Sequence, residues 1–212
     1  LRIEQGVNLT YLAFVLSVVS EALKENPLLN SSWDEAGIVL KKRINIGVAV
    51  AAPSGLVVPV IKDADTLTVT DLAKAIDDVT RKAREGSLQL EDVQGGTFTV
   101  NNTGALGSVV SRPLVNYPQA AILATEAIVK RPVVVDDAIA IRSIMNLCLT
   151  FDHRIIDGAE GGAFLADVKR RLERIGPRVA PRVPRGGSRW SGCESCLRTE
   201  EGRPGKAEIR SP

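Results

Sequence analysis

Histidine is nearly absent: His153 is the only one in 212 residues. Any mechanism that draws a neutral-pH base from imidazole must use that ring. With no His/Cys cluster at ligand spacing in the body of the chain, no metal site is expected. Cysteine is scarce too. There are 3, and only Cys148 lies outside segment 177–212. A single body cysteine excludes a disulfide framework and favours a reducing compartment. Long hydrophobic runs are also missing. The stretch Leu9–Ala22 looks like a signal peptide at first, but Arg2 is offset by Glu4, so no positive leader precedes it. Glu21 and Lys24 then interrupt the run before the roughly 20 residues that a membrane span requires. Charge of one sign is not in excess: 27 Lys+Arg against 25 Asp+Glu leave a net of +2. That balance predicts neither a nucleic acid nor an anionic membrane as partner. No internal repeat is visible.

What is present suits one folded body and a tail. The hydrophobic fraction of 44% and charged fraction of 25% are ordinary for a globular domain. Segment 177–212 differs, with 8 basic and 4 acidic residues and 5 of the 11 prolines. Its Arg-Pro-Gly repeats predict disorder, because they cannot bury enough apolar surface to offset the entropy of ordering. Cys193-Glu194-Ser195-Cys196 within it has no second Cys pair, so neither zinc nor redox chemistry is expected there. The boundary is therefore placed at 176/177. A start at Leu1 rather than Met leads us to expect a fragment lacking its N-terminal part.

Periodicity outlines the body. Leu9, Leu12, Ala13, Leu16, Val19, Ala22 and Leu23 recur at helical spacing, stopped by Asn26-Pro27. Ile38–Leu40, Ile44–Ala52 and Leu56–Ile61 read as strands. A second helix capped by Thr70 should bury Leu72, Ala73, Ile76, Val79 and Ala83 and end at Gly86. Thr97–Asn101 and Ala120–Ile128 read as strands. A hairpin turns at Asp136-Asp137. Its second strand alternates Ile139, Ile141, Ser143, Met145, Leu147, Leu149 and Phe151 on one side, which predicts one long strand. A last helix over 159–175 should place Ala163, Ala166, Leu172 and Ile175 inward.

The long strand runs into Phe151-Asp152-His153-Arg154-Ile155-Ile156-Asp157-Gly158, the strongest local signal. Imidazole titrates near 6.5 in model peptides and so takes and returns a proton near neutrality. Asp157 would fix a neighbouring arginine or the turn, and so hold the ring. Arg154 has Asp152 and Asp157 as alternative partners.

Four more stretches stand in order with this one: Asn26-Pro27-Leu28-Leu29-Asn30, Gly55-Leu56-Val57-Val58-Pro59-Val60-Ile61, Gly95-Gly96-Thr97-Phe98-Thr99-Val100-Asn101-Asn102-Thr103-Gly104, and Pro118-Gln119-Ala120-Ala121-Ile122-Leu123. Together the five resemble the catalytic core of the dihydrolipoamide acyltransferases, the E2 components of 2-oxo acid dehydrogenase complexes, over about residues 7–176. The resemblance implies an α/β two-layer sandwich with a mixed sheet, like chloramphenicol acetyltransferase. It also implies homotrimers that build 24- or 60-subunit cores, with the active site between subunits. The implied reaction moves an acyl group between dihydrolipoamide and coenzyme A, with no metal. Partners would be lipoyl domains and the E1 and E3 components of the complex, in a bacterial cytoplasm. No lysine stands in a recognisable lipoyl turn, so lipoamide is expected from another chain.

By the same resemblance, His153 is the general base and Asn101 occupies the position where many relatives carry Ser or Thr to bind the oxyanion. The variant Phe98-Thr99-Val100-Asn101-Asn102-Thr103-Gly104 is similar to a bacterial branched-chain subgroup, so a branched-chain acyl group is favoured over acetyl or succinyl. An amide N–H is a competent donor, although Asn101 and Asn102 would equally serve to shape a turn. Thr103 and Ser108 are alternative hydroxyl donors. Ser54, Gly55 and Leu56 are expected to line the coenzyme A entrance. Gly104 and Ser108 are further cofactor candidates, with Gly104 equally suited to an ordinary turn. Two other readings stay open: a trimeric scaffold without turnover, and an enzyme transferring acyl groups from coenzyme A to an alcohol or amine. The latter group usually has a second His before the essential one, where this chain has Asp152.

Overall fold

The computed structural model describes residues 9–53 and 55–175. The disorder expected of 177–212 and the cofactor contact expected of Ser54 lie outside the described residues. A mixed sheet forms the centre. Its strands are β3 (Ile46–Ala52), β4 (Gly55–Val57), β5 (Val60–Ile61), β6 (Phe98–Asn102), β7 (Ala121–Thr125) and β10 (Leu147–Phe151), in the order β10-β7-β6-β3-β4, with β5 also beside β3. Strands β3, β6 and β7 run parallel, while β4, β5 and β10 are antiparallel to their neighbours. Two hairpins stand outside the sheet, β1–β2 (Ser31–Asp34, Gly37–Leu40) and β8–β9 (Val129–Val135, Ala138–Ile144).

Helices α1 (Tyr11–Glu25), α2 (Val69–Glu85) and α4 (Gly158–Arg174) pack with one face of the sheet, and the short α3 spans Leu90–Val93. Strand alternation sorts the two faces. Phe98 and Val100 point into the core, and Phe98 meets Phe164 of α4 at 5.8 Å between ring centres. Leu16, Leu23, Leu72 and Leu123 are fully enclosed there, and each such side chain contributes about 1.5–3 kcal/mol by leaving water. Thr99 lies on the opposite face, where its hydroxyl donates to Gln119 Oε1 at 2.6 Å.

The apolar stripe of α2 is buried as its spacing predicts, and Gly86 closes the helix in the left-handed region at φ 68°. Its cap, however, is Thr68 rather than Thr70: the Thr68 hydroxyl accepts from Asp71 N at 3.2 Å. The expected strand over 56–61 is two strands, β4 and β5, interrupted at Val58-Pro59. The expected long strand is also two, broken at Met145-Asn146. Asn146 bonds sideways there, donating its amide to Val109 O at 2.7 Å and accepting from Glu126 N at 3.1 Å. Ile139 and Ile141 therefore stand 82% and 68% exposed on the hairpin, while Leu147, Leu149 and Phe151 pack on the core. Period-2 alternation reports an extended backbone, not its hydrogen-bond partner.

The inward face of α4 also differs from expectation. Ala163, Ala166 and Ile175 are exposed, and Gly161, Phe164 and Val168 face the core with buried Asp167, which pairs with Arg170 and Arg171. Small alanines are a weak guide to helix phase; the one large aromatic, Phe164, decides it.

Candidate functional site

The turn after β10 is built by its own polar residues. Asp152 N donates to Ala120 O at 2.8 Å, which continues the β10–β7 ladder by one bond. The Asp152 carboxylate then accepts from Arg154 N at 3.0 Å and from Arg154 Nη2 at 2.6 Å, folding the chain back. The hydrogen-bonded Arg154 guanidinium holds the Asp152 carboxyl below the usual carboxylate range, despite the opposing effect of burial. Because that pKa is depressed, the pair is intact at neutral pH and is lost only as pH falls through the lowered value. Arg154 also stacks over Trp33 of β1 at 5.1 Å. Ile155 and Ile156 anchor the turn in the core. His153 is left exposed at the apex, its ring 5.7 Å from that of Phe151. A cleft of about 620 Å³ lies beside this turn, lined by Trp33, Lys41, Tyr117 and Arg154 among others.

Among the described residues, Asp157 pairs with no arginine. It caps α4, accepting from Ala159 N at 2.8 Å and Glu160 N at 3.0 Å, while Glu160 reaches back to Asp157 N at 2.9 Å. This reciprocal box explains the spacing of the motif: the turn ends where the helix must begin. Replacing Asp157 by alanine is expected to lower stability by about 1 kcal/mol, read by denaturant unfolding. Asp157→Asn retains a capping oxygen and should unfold near the parent midpoint.

Asn101 lies far from this turn. It sits half-buried near the end of β6, level with Ala124 of β7, which is level with Cys148 of β10. Phe151 is three residues further along β10 and two strands across. Strand rise and spacing put the Cα atoms of Asn101 and Phe151 roughly 14 Å apart. His153 follows beyond Phe151, so one reacting atom cannot sit near 3 Å from both groups of a single chain.

The other candidates gather at Asn101's end of the sheet. Gly55 and Leu56 pair with Ala52 and Ala51 just beyond Ala49, the partner of Asn101, and both are exposed. Gly55 has φ +119°, a backbone conformation that side chains rarely adopt. Ser108 follows in the loop after β6. Gly104 lies tight against protein: a Cβ there would stand 2.3 Å from the Glu126 carbonyl group. Thus the structure groups Asn101 with Gly55, Leu56, Gly104 and Ser108, and groups His153 with Asp157, at opposite ends of the sheet.

Two residues at the Asn101 end escaped the sequence reading. Tyr11 donates its hydroxyl to Asn102 Oδ1 at 2.6 Å, and Asn102 also accepts from Ala105 N. Glu126 is fully buried. Burial pushes its carboxyl up, but hydrogen bonds from Ser111 and Thr103, with the Ser108 hydroxyl and Cys148 thiol nearby, together hold it below the ordinary glutamate value. The visible signal was a lone carboxylate inside the apolar run Ala120–Ile128.

A second, apolar concavity of about 730 Å³ runs along β10 and α4, lined by Met145, Leu147, Cys148, Leu165 and Leu172 among others. Among the described residues, no group of His, Cys, Asp and Glu is placed to hold a metal ion, and no helix is long and apolar enough to cross a membrane.

The fold is like that of chloramphenicol acetyltransferase, whose structure matches 77% of this chain and 78% of its own, with TM-score 0.51 at 18% identity. The chain belongs to the family of 2-oxoacid dehydrogenases acyltransferases (catalytic domain), whose family model matches residues 2–178. The resemblance carried by the five stretches is thereby borne out. It is 54% identical over 172 residues to the lipoamide acyltransferase component of the branched-chain alpha-keto acid dehydrogenase complex of Bacillus subtilis, covering 81% of this chain and 41% of that protein. The chain thus spans less than half of the curated relatives it matches. The crystal structure of a probable dihydrolipoamide acetyltransferase from Listeria monocytogenes matches 84% of this chain and 76% of its own, with TM-score 0.80 at 50% identity. The cubic core of a pyruvate dehydrogenase multienzyme complex matches 80% and 71%, with TM-score 0.78 at 36% identity. A succinyltransferase component from Bartonella vinsonii is 46% identical over 170 residues, covering 80% of this chain and 41% of that protein.

Proposed function

We propose that this chain transfers an acyl group between the thiol of dihydrolipoamide and the thiol of coenzyme A, at a site shared by two copies. The carrying observation is the separation just described: an exposed imidazole at one end of the sheet and a polar loop at the other. Neither end suffices alone, and a neighbouring copy can bring the two together.

Thiols titrate near 8.5 and are mostly protonated at neutral pH. His153 removes the S–H proton as sulfur attacks the thioester carbonyl, forming the new C–S bond. The electron pair displaced onto oxygen is met by the Asn101 N–H of the neighbouring copy. When the carbonyl reforms, the old C–S bond breaks, and the imidazolium returns its proton to the departing thiolate. Asp157 shapes the turn through the α4 cap rather than touching the ring. Gly55, Leu56, Gly104 and Ser108 stand at the coenzyme A end, with Ser54 assigned there from the resemblance.

The assembly we propose is a homotrimer building a larger core. The edge of β10, unpaired among the described residues, and the exposed Val134, Ile139 and Ile141 of the β8–β9 hairpin favour it, since an exposed apolar strand pair calls for a partner. We assign catalysis to residues 1–176 and none to 177–212, with lipoamide delivered by a lipoyl domain, in a bacterial cytoplasm with the companion components of the complex.

A branched-chain acyl group is favoured by the Bacillus relative and by the Asn101-Asn102-Thr103-Gly104 loop. With free dihydrolipoamide and a panel of isobutyryl-, acetyl- and succinyl-coenzyme A, isobutyryl should give the highest kcat/KM, by about tenfold or more. A larger value for succinyl or acetyl would reassign the substrate.

A further inference from the structure

We infer that Glu126 is a positioning residue for Asn101: its carboxylate gathers the loop that follows β6 and fixes where that strand ends. The inference rests on the reading of Asn101 as the oxyanion donor.

Along β7 the side chains of Ile122 and Ala124 point away from the helices, and the next residue in that phase is Glu126. Ala124 is the cross-strand partner of Asn101, so Glu126 is its diagonal neighbour, roughly 7–8 Å away. Ser111 Oγ donates to Glu126 Oε1 at 2.5 Å, and Thr103 Oγ1 donates to Oε2 at 3.0 Å. The backbone repeats the clasp: Ala127 N donates to Ser108 O at 2.7 Å, and Gly104 lies against the Glu126 carbonyl with no room for a Cβ. Loop residues 103–111 are thus folded around one carboxylate, and Asn101 and Asn102 stand immediately before them.

Space-filling alone does not call for an ionised group. Among the described residues its side-chain hydrogen-bond partners are the neutral hydroxyls of Ser111 and Thr103 rather than a Lys or Arg. Enclosing a charge on such terms is costly unless both oxygens are used. Both are: one holds Thr103, next to the Asn pair, and the other holds Ser111, at the far end of the loop. An amide offers one acceptor oxygen and an N–H₂ donor, so Glu126→Gln removes the charge and reverses one of the two hydrogen bonds, making that hydroxyl turn and accept.

The test uses the full chain, assembled, with steady-state kinetics for coenzyme A. Glu126→Gln is expected to lower kcat about tenfold with KM for coenzyme A unchanged, because a displaced oxyanion donor weakens the transition state and not ground-state binding. In an Asn101→Ala background the same change should cost nothing further, since the group it positions is gone. Thr103→Val, which keeps shape and removes one donor, should reproduce the kcat loss even if Glu126→Gln fails to fold. A folded Glu126→Gln or Thr103→Val enzyme with parental kcat overturns the inference, as does a loss that adds in full to that of Asn101→Ala. If Asn101→Ala itself keeps parental kcat, the oxyanion reading is what fails, and the role of Glu126 falls with it.

Discussion

Replacing His153 by alanine should abolish acyl transfer at neutral pH, lowering kcat about 10²–10⁴-fold, the usual contribution of a positioned acid–base group. The protein itself should tolerate the change. His153 is exposed at a turn held by Asp152, Arg154 and the buried Ile155 and Ile156, not by the imidazole. Surface substitutions of that kind move stability by only about 0.5 kcal/mol. The residual activity also has a signature. Without its base the variant depends on thiol that has already ionised, so its rate should rise about tenfold per pH unit until the thiol titrates, near 8.5. A merely structural histidine would give a variant with the parental pH profile. Acyl-coenzyme A formation at the parental rate by His153→Ala would end the proposed mechanism, and no turnover in the parent chain would favour the scaffold reading.

The second large effect comes from mixing two dead proteins. Asn101→Ala should lose about 10²–10³ in kcat, as expected for removal of one oxyanion donor. His153→Ala copies carry a good amide, and Asn101→Ala copies carry a good imidazole. If each site takes its ring from one copy and its amide from the neighbour, random co-assembly at equal amounts makes about a quarter of the sites whole. Activity should then return to about a quarter of the parental value, a gain of tens- to hundreds-fold over either variant alone. Variants assembled separately and mixed afterwards should stay inactive. A site contained in one chain predicts no recovery under either protocol. The sheet register favours the shared site, because Asn101 and Phe151 are separated by two strands and three residues along β10.

These two experiments probe what was least legible before folding. The motif Asp152-His153-Arg154-Ile155-Ile156-Asp157-Gly158 could be read directly, because a turn and a helix cap are local: every partner of Asp152 and Asp157 named here, apart from Ala120, lies within three residues of it. The same holds for α1 and α2, whose apolar stripes repeat at the helical period whatever they pack against. Their burial followed from spacing alone, since a helix satisfies its own backbone and needs only one apolar face.

Strand partners were a different matter. The alternation from Ile139 to Phe151 was unbroken in sequence, yet half of it belongs to an outlying hairpin and half to the main sheet. Nothing in a period of two specifies which edge a strand will join, because its hydrogen bonds are made to residues distant in the chain. Glu126 shows the same limit from the polar side. As a letter it was one carboxylate in an apolar run; its meaning came from Thr103 and Ser111, brought to it by the loop. Residue chemistry and local turns were therefore written in the chain: which base, which cap, which family. Tertiary pairing alone decided that the base and the amide stand at opposite ends of one sheet, because that distance is set by strand order and register, which are properties of contacts between remote segments.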